Sequence, residues 1–361
     1  MKNDTRLTFK HALSKSFDKY ASEDALAYFD EKPMTYKDLQ RQIEGTIAFY
    51  EKLNIRPGDK IAILSNNMPN WGIAYFAATF MGAAAVPLLP DFSALEVANI
   101  IRHSEAKLLM VSEALLKKVN DCACEQLKHI VKINDFTVLQ GDMQASYEPG
   151  AQPAHDYEVS EDMLASIIYT SGTTGKSKGV MLSHKNLISN AFSGAGVQPI
   201  GPKDRFLSIL PLSHAYENTL GLILPVLHGS AVYYMRQAPT PSVLLPALKK
   251  VRPTMMLSVP LIIEKIYRNK ILPSIQDKFI SRNLYRIPFF RKKFNLLAGQ
   301  KLKATFGGKL KFFGVGGAKL DPAVERFLKE AKFPYAIGYG LTETSPLLAG
   351  TNAHYTHLTA I

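Results

Sequence analysis

Residues 56–90 read RPGDKIAILSNNMPNWGIAYFAATFMGAAAVPLLP, and the order of elements within them decides the fold. The RPGD turn leads into a short apolar strand, KIAIL, at residues 60–64. From Trp71 to Pro90 the chain carries no charge, a run long enough for a membrane span of about 20 residues. Gly82 and Pro87 interrupt it, and its composition changes from alanine-rich to β-like at Ala85-Val-Pro-Leu. A buried helix followed by a buried strand accounts for both features. Strand, helix, strand is the grammar of a mostly parallel sheet with helices on its faces.

The same grammar extends in both directions. Upstream, Thr35 and Asp38 form a capping pair, and Leu39, Ile43, Ile47, Phe49 and Tyr50 follow at near-helical spacing. Downstream, the pattern predicts a helix over 93–103 and a strand over 107–112, then a less regular region over 113–163. Strands are expected at 165–169, 206–210, 231–234, 254–259, 310–313 and 335–337, with helices near 219–227, 242–250 and 322–332. The expected class is α/β.

The 361 residues suffice for two or three domain-sized units, and a composition 47% hydrophobic and 20% charged excludes disorder as the main state. The formal charge of +12 (43 basic minus 31 acidic) fits an anionic partner such as a nucleotide, coenzyme, nucleic acid or membrane surface. Much of the excess falls between Lys265 and Lys311, where a solvated helical face is the plainer reading. No RRM, KH or zinc-finger pattern supports nucleic acid. Cys122 and Cys124 are too close in sequence for an ordinary bridge, and no Cys/His cluster has zinc spacing, which favours a reduced, cytoplasmic setting. The initial MKNDTRLTFKHALSK lacks the apolar core of a signal peptide.

Four polar or glycine-rich loops, 170–179, 211–217, 314–318 and 338–344, each follow a predicted strand, where open α/β sheets bind ligands. The first lies in YTSGTTGKSKG, residues 169–179, which lacks the G-x-x-x-x-G-K-[ST] spacing. It offers hydroxyls at Thr170, Ser171, Thr173 and Thr174, close backbone approach at Gly172 and Gly175, and charge at Lys176 and Lys178. These groups suit phosphate. The segment Gly314-Val-Gly-Gly-Ala318 is not a dinucleotide fingerprint, because Lys319 stands where the last glycine is needed. Alone it reads equally as a tight strand-to-helix turn. Tyr339 can stack on a base, Thr342 can reach a phosphate oxygen, and Glu343 can hold Mg²⁺ or serve as a solvated helix-start carboxylate. His214 alone reads as a structural histidine. A Ser213/His214/Glu217 triad is disfavoured, since adjacent side chains point apart and no G-x-S-x-G elbow is present.

YTSGTTGKSKGVMLSHKN, followed by LPLSHAYE, GVGGAKL and GYGLTETSP, resembles the adenylate-forming (AMP-binding) superfamily of acyl-CoA synthetases, firefly luciferases and nonribosomal peptide adenylation domains. The likeness runs from MTYKDL near residue 34 to the end of the chain. Within the superfamily, LPLSHAYE, PLIIEKIYRNK and the basic insertion before GGKLKFFGVGGAKL look most like a long-chain fatty acid–CoA ligase. The resemblance implies a two-step reaction. A fatty acid carboxylate attacks the α-phosphate of ATP, giving acyl-adenylate and pyrophosphate, and the thiol of coenzyme A then displaces AMP. It implies that Thr170, Ser171, Gly172, Thr173, Thr174, Gly175 and Lys178 wrap the phosphates. Gly316, Gly317 and Ala318, with Gly338, Tyr339 and Gly340, would hold the adenine. Thr342 would contact phosphate, Glu343 and Thr170 would serve Mg²⁺, and His214 would lie between nucleotide and acyl pocket.

The implied fold is the large N-terminal domain of such an enzyme over 1–361. It comprises two αβα-type subdomains with mostly parallel sheets, over about 48–192 and over 1–47 plus 193–361. Full chains of the family continue with a small barrel and a mobile C-terminal domain that carries a lysine needed for adenylation. The resemblance therefore implies an N-terminal portion that binds adenine nucleotide weakly and does not complete thioester formation. Two alternatives stand beside it: an acyl or aryl adenylating enzyme that loads a carrier protein, and a natively short nucleotide- or acyl-binding module. The basic-aromatic stretch YRIPFFRKKF at residues 285–294 points to a peripheral membrane contact.

Overall fold

The computed structural model describes residues 6–119, 126–170, 177–277, 279–356 and 358. Its strands are Asp24–Tyr28 (β1), Met34–Thr35 (β2), Lys60–Leu64 (β3), Ala84–Leu88 (β4), Ala106–Val111 (β5), His129–Lys132 (β6), Thr137–Gln140 (β7), Leu164–Thr170 (β8), Lys178–Ser183 (β9), Arg205–Leu207 (β10), Ala231–Tyr234 (β11), Met255–Ser258 (β12), Phe312–Val315 (β13), Tyr335–Gly340 (β14) and Leu347–Gly350 (β15). They form a seven-stranded sheet, β7-β6-β5-β3-β4-β8-β9, and an eight-stranded sheet, β15-β14-β13-β12-β10-β11-β1-β2. Only the outermost pairs, β6/β7, β8/β9, β1/β2 and β14/β15, are antiparallel; the inner pairs are parallel. This is the mixed α/β class the strand–helix–strand order requires.

β3 and β4 pair in parallel, with Ile61 opposite Ala85. The helix between them, Pro69–Phe80, is buried almost all round. Trp71, Tyr75 and Phe76 are fully enclosed, and burial of Phe76 contributes about 1.5–3 kcal/mol. The helix carries no charge because both halves of the fold cover it. At Gly72 an added Cβ would stand 3.3 Å from Leu26 of β1 and from Leu222. Among the described residues, no helix is long and apolar enough to cross a membrane.

Side-chain caps set the helix starts. Thr35 Oγ1 accepts from the Asp38 N–H at 3.1 Å, and Asp38 Oδ2 accepts from the Thr35 N–H at 3.0 Å, opening helix Tyr36–Lys52. Ser93 with Glu96, and Ser183 with Asn186, repeat the device at Ala94–Ser104 and His184–Val197.

Several elements differ from expectation. The strand expected over 206–210 ends at Leu207. Asn67 Nδ2 takes the Leu210 carbonyl at 2.6 Å, and Pro211 has no N–H to extend a ladder. The helix expected over 219–227 opens as a π-helical segment, Asn218–Ile223, before α-helical Leu224–Leu227. Pro225 lacks the N–H that would reach the Gly221 carbonyl. Gly221 also leaves room for the Glu217 carboxyl, which lies 2.7 Å from where a Cβ would sit. The strand expected over 335–337 runs on to Gly340, because β15 returns antiparallel beside it. β6 and β7 emerge from the region 113–163, their short length and part-exposed faces having masked any alternation.

Candidate functional site

The segments 211–217, 314–318 and 338–344 come together at the carboxyl end of the eight-stranded sheet, and the β8/β9 hairpin of the other sheet approaches them through β9. β8 and β9 form a hairpin in which Thr170 stands opposite Lys178. Thr170 is half-buried and Lys178 exposed, so a hydroxyl and an ammonium frame the mouth of the first loop. Ser171, Gly172, Thr173, Thr174 and Gly175 lie outside the described residues. β9 contacts the turn Thr342–Thr344, which belongs to the other sheet's end. Helix His184–Val197 anchors this turn: Asn190 Nδ2 donates to the carbonyls of Thr344 (3.1 Å) and Leu347 (2.8 Å). Thr342 is half-buried. The exposed Glu343 carboxylate has no hydrogen-bond partner among the described residues.

Gly316 and Gly338 close up at the ends of β13 and β14. A Cβ on Gly316 would stand 3.4 Å from the Gly338 carbonyl oxygen and 3.2 Å from the Tyr216 ring. Gly317 adopts φ +86°, a region that favours glycine, and both Gly317 and Ala318 are exposed. Tyr339 is 48% exposed and presents its ring to solvent. At Gly340 a Cβ would lie 1.8 Å from the Pro346 carbonyl oxygen, so the backbone there tolerates no side chain. The result is a shallow floor of bare backbone with one accessible aromatic.

The segment 211–217 reaches this floor from the other side through Tyr216. It is tied to the seven-stranded half by Asn67, whose Oδ1 accepts from the Leu212 N–H at 2.9 Å. His214 opens the short helix Ala215–Glu217 and is exposed. The protein around it still disfavours the imidazolium and lowers the pKa, an effect the Asp91 carboxylate opposes. The ring is therefore mostly neutral at pH 7.

Glu217 is only 2% exposed, and burial pushes its carboxyl up to about 8. Ser208 Oγ donates to Glu217 Oε1 at 2.6 Å, and Asn67 Nδ2 donates to Ser208 Oγ at 2.9 Å. At pH 7 this is a neutral acid in a hydrogen-bonded chain that joins the two sheets. No signal in the linear sequence points to Asn67, Ser208 or Asn190; only their partners from distant segments identify them.

Beside Tyr216, Gly314 and Gly338 opens an apolar cavity of about 50 Å³, walled by Phe206, Leu220 and Leu257. The cavity thus opens beside the glycine floor and Tyr216. The exposed Glu343 carboxylate, without a hydrogen-bond partner among the described residues, fits a hard cation carried largely by phosphate oxygens. No group of three or more His, Cys, Asp or Glu stands together among the described residues, so no protein-only metal cage is formed there.

Residues 13–359 match the family described as AMP-binding enzyme. Fatty acyl-CoA synthetase A of Dictyostelium discoideum is 27% identical over 341 residues, covering 87% of this chain and 50% of that protein. The 4-coumarate–CoA ligase of Vanilla planifolia is 28% identical over 329 residues, covering 87% of this chain and 53% of that protein. The chain spans about half the length of these relatives. The crystal structure of the N-terminal domain of FACL13 from Mycobacterium tuberculosis superposes with a TM-score of 0.74 at 20% identity, covering 94% of this chain and 77% of that one. The paired sheets, the loops gathered at their strand ends and a family match over nearly the whole length agree: the chain belongs to the AMP-binding enzyme family.

Proposed function

We propose that this chain carries the nucleotide- and acid-binding half of an AMP-forming acid–CoA ligase, and that the acid is a long-chain fatty acid. The carrying observation is the bare-backbone floor of Gly316 and Gly338, which opens beside Tyr216 onto the apolar cavity. Attack of a carboxylate oxygen on the α-phosphorus forms the acyl-adenylate and expels pyrophosphate; the thiol of coenzyme A then displaces AMP. Negative charge grows on the phosphoryl oxygens during the first step, so its stabilisers are cations and N–H or O–H donors. In this reading Lys178, Thr170 and Thr342 supply them. Ser171, Gly172, Thr173, Thr174 and Gly175 complete the phosphate loop in this proposal. Gly316, Gly317, Ala318, Gly338, Tyr339 and Gly340 take the adenine.

Glu343, with Thr170 nearby, would hold Mg²⁺, whose charge offsets that of the phosphates when bound. Neutral His214 can donate a hydrogen bond at the junction of nucleotide and acid. Protonated Glu217 keeps a negative charge away from two anionic reactants.

The cavity, at about 50 Å³ in this conformation, also favours a second reading, a small aryl or acyl acid. Acid-dependent ATP–pyrophosphate exchange by the full-length protein, run over a panel from short aryl acids to long fatty acids, decides between them. A maximum at long chains supports the first and a maximum at aryl acids the second. Nucleotide binding without exchange for any acid would leave only a binding module.

A further inference from the structure

Between Asp277 and Asp321 the sequence holds eleven Lys or Arg residues and no Asp or Glu, almost the whole of the net +12. The same stretch exposes large apolar side chains: Phe279 73%, Ile280 72%, Phe289 61% and Leu297 58%. On helix Pro288–Thr305, Phe289, Lys293 and Leu297 are spaced four apart and share one face, while Asn295, Gly299 and Leu302 are buried. Lys293 Nζ stands 4.5 Å over the Phe289 ring. Beside this face lies a hollow of about 580 Å³ lined by Phe289, Lys292, Lys293, Arg326, Lys329 and Lys332. Its one acid, Glu330, is already engaged by Arg291 at 2.8 Å and by Asn295 at 2.7 Å.

A face that needed only solubility would mix both signs of charge and hide its phenylalanines. A protein-docking core would be poor in lysine. Lysines interleaved with exposed aromatic and aliphatic groups suit the boundary between lipid headgroups and acyl chains. We propose that this surface docks the protein on anionic lipid bilayers. Phe289 and Leu297 enter the acyl boundary, and Lys292, Lys293, Lys329 and Lys332 engage headgroup phosphates. This docking is independent of the reaction proposed above, so either can fail without the other.

The test is co-sedimentation with phosphatidylcholine vesicles, with and without phosphatidylglycerol. The chain is expected to bind only the anionic vesicles and to be released by high salt. Lys292→Glu with Lys293→Glu should weaken binding at least about 25-fold, at about fivefold per charge. Phe289→Trp adds a reporter, because the native Trp71 is fully buried; its emission should shift to the blue on anionic vesicles. Unchanged circular dichroism melting shows that these surface variants fold. Equal binding to neutral vesicles, insensitivity to the charge reversals, or no blue shift overturns the proposal. So does equal affinity for an RNA homopolymer without a blue shift, which would identify a general polyanion site.

Discussion

Asn190 and Leu347 exchange two hydrogen bonds: Asn190 Nδ2 donates to the Leu347 carbonyl at 2.8 Å, and Asn190 Oδ1 accepts from the Leu347 N–H at 3.1 Å. The pair fixes the turn that carries Thr342 and Glu343 against the helix that follows the phosphate-type hairpin.

Asn190→Ala should therefore act on both stability and ligand affinity. It leaves the Leu347 N–H and two carbonyls without this partner, at a cost of about 1–3 kcal/mol. Urea unfolding should show that loss, and ATP affinity measured by calorimetry should fall with it. Native affinity in a destabilised variant would separate this turn from the nucleotide site.

Gly340→Ala forces a methyl group to within 1.8 Å of the Pro346 carbonyl oxygen. No side-chain rotation relieves a clash with backbone, so the turn must move. A loss above about 4 kcal/mol is expected by urea denaturation, the range reserved for severe steric defects. Little change would show that β14 and β15 shift apart freely.

Glu217 should make stability fall as pH rises. Its folded pKa, about 8, lies above the ordinary 4.5. The folded state therefore holds the proton longer than the unfolded chain does. The stability it contributes is full below about 4.5 and is lost as pH climbs towards 8, by about 1.4 kcal/mol per unit. Glu217→Gln should remove this slope, as read from urea midpoints between pH 6.5 and 8, above the range in which His184 contributes. An unchanged slope would show that the carboxyl is ionised in the fold.

His184 should produce the opposite slope at acid pH. The Phe9 N–H donates to its Nδ1 at 3.3 Å, and burial pushes its pKa down to about 4 from 6.5. Its contribution is full above about 6.5 and is lost as pH falls through 4, because the unfolded chain takes up the proton first. Between 4.5 and 6.5 the two slopes oppose each other, so the native protein conceals both. His184→Gln should uncover the fall of stability with pH due to Glu217 in this range, Glu217→Gln should uncover the rise due to His184, and the two single variants measured in parallel resolve the contributions.

Glu343→Gln should leave stability within about 0.5 kcal/mol, because the carboxylate is exposed and unpartnered. It should weaken ATP binding in the presence of Mg²⁺ while sparing AMP binding without metal. Equal loss in both would deny Glu343 a role at the cation.

Local pattern determined the elements. The alternation of apolar runs and turn residues in 56–90 is enough to require β3, a buried helix and β4 in parallel, and Thr35 with Asp38 is enough to start a helix. The expected roles of 170–179 and 338–344 were likewise read from residue types and their order along the chain.

Only tertiary structure decided which segments meet. Ser208 lies 141 positions from Asn67, and Leu347 lies 157 from Asn190. Periodicity states that a face is buried but not what buries it. The protonation of Glu217 depends on that missing partner, since Ser208 and the apolar walls around it set the cost of a charge there. The exposed phenylalanines of 279–290 show the same limit from the other side. The sequence already pointed Phe289 and Phe290 outward through the basic residues beside them, but nothing in it did so for Phe279, which only the packed fold leaves facing out.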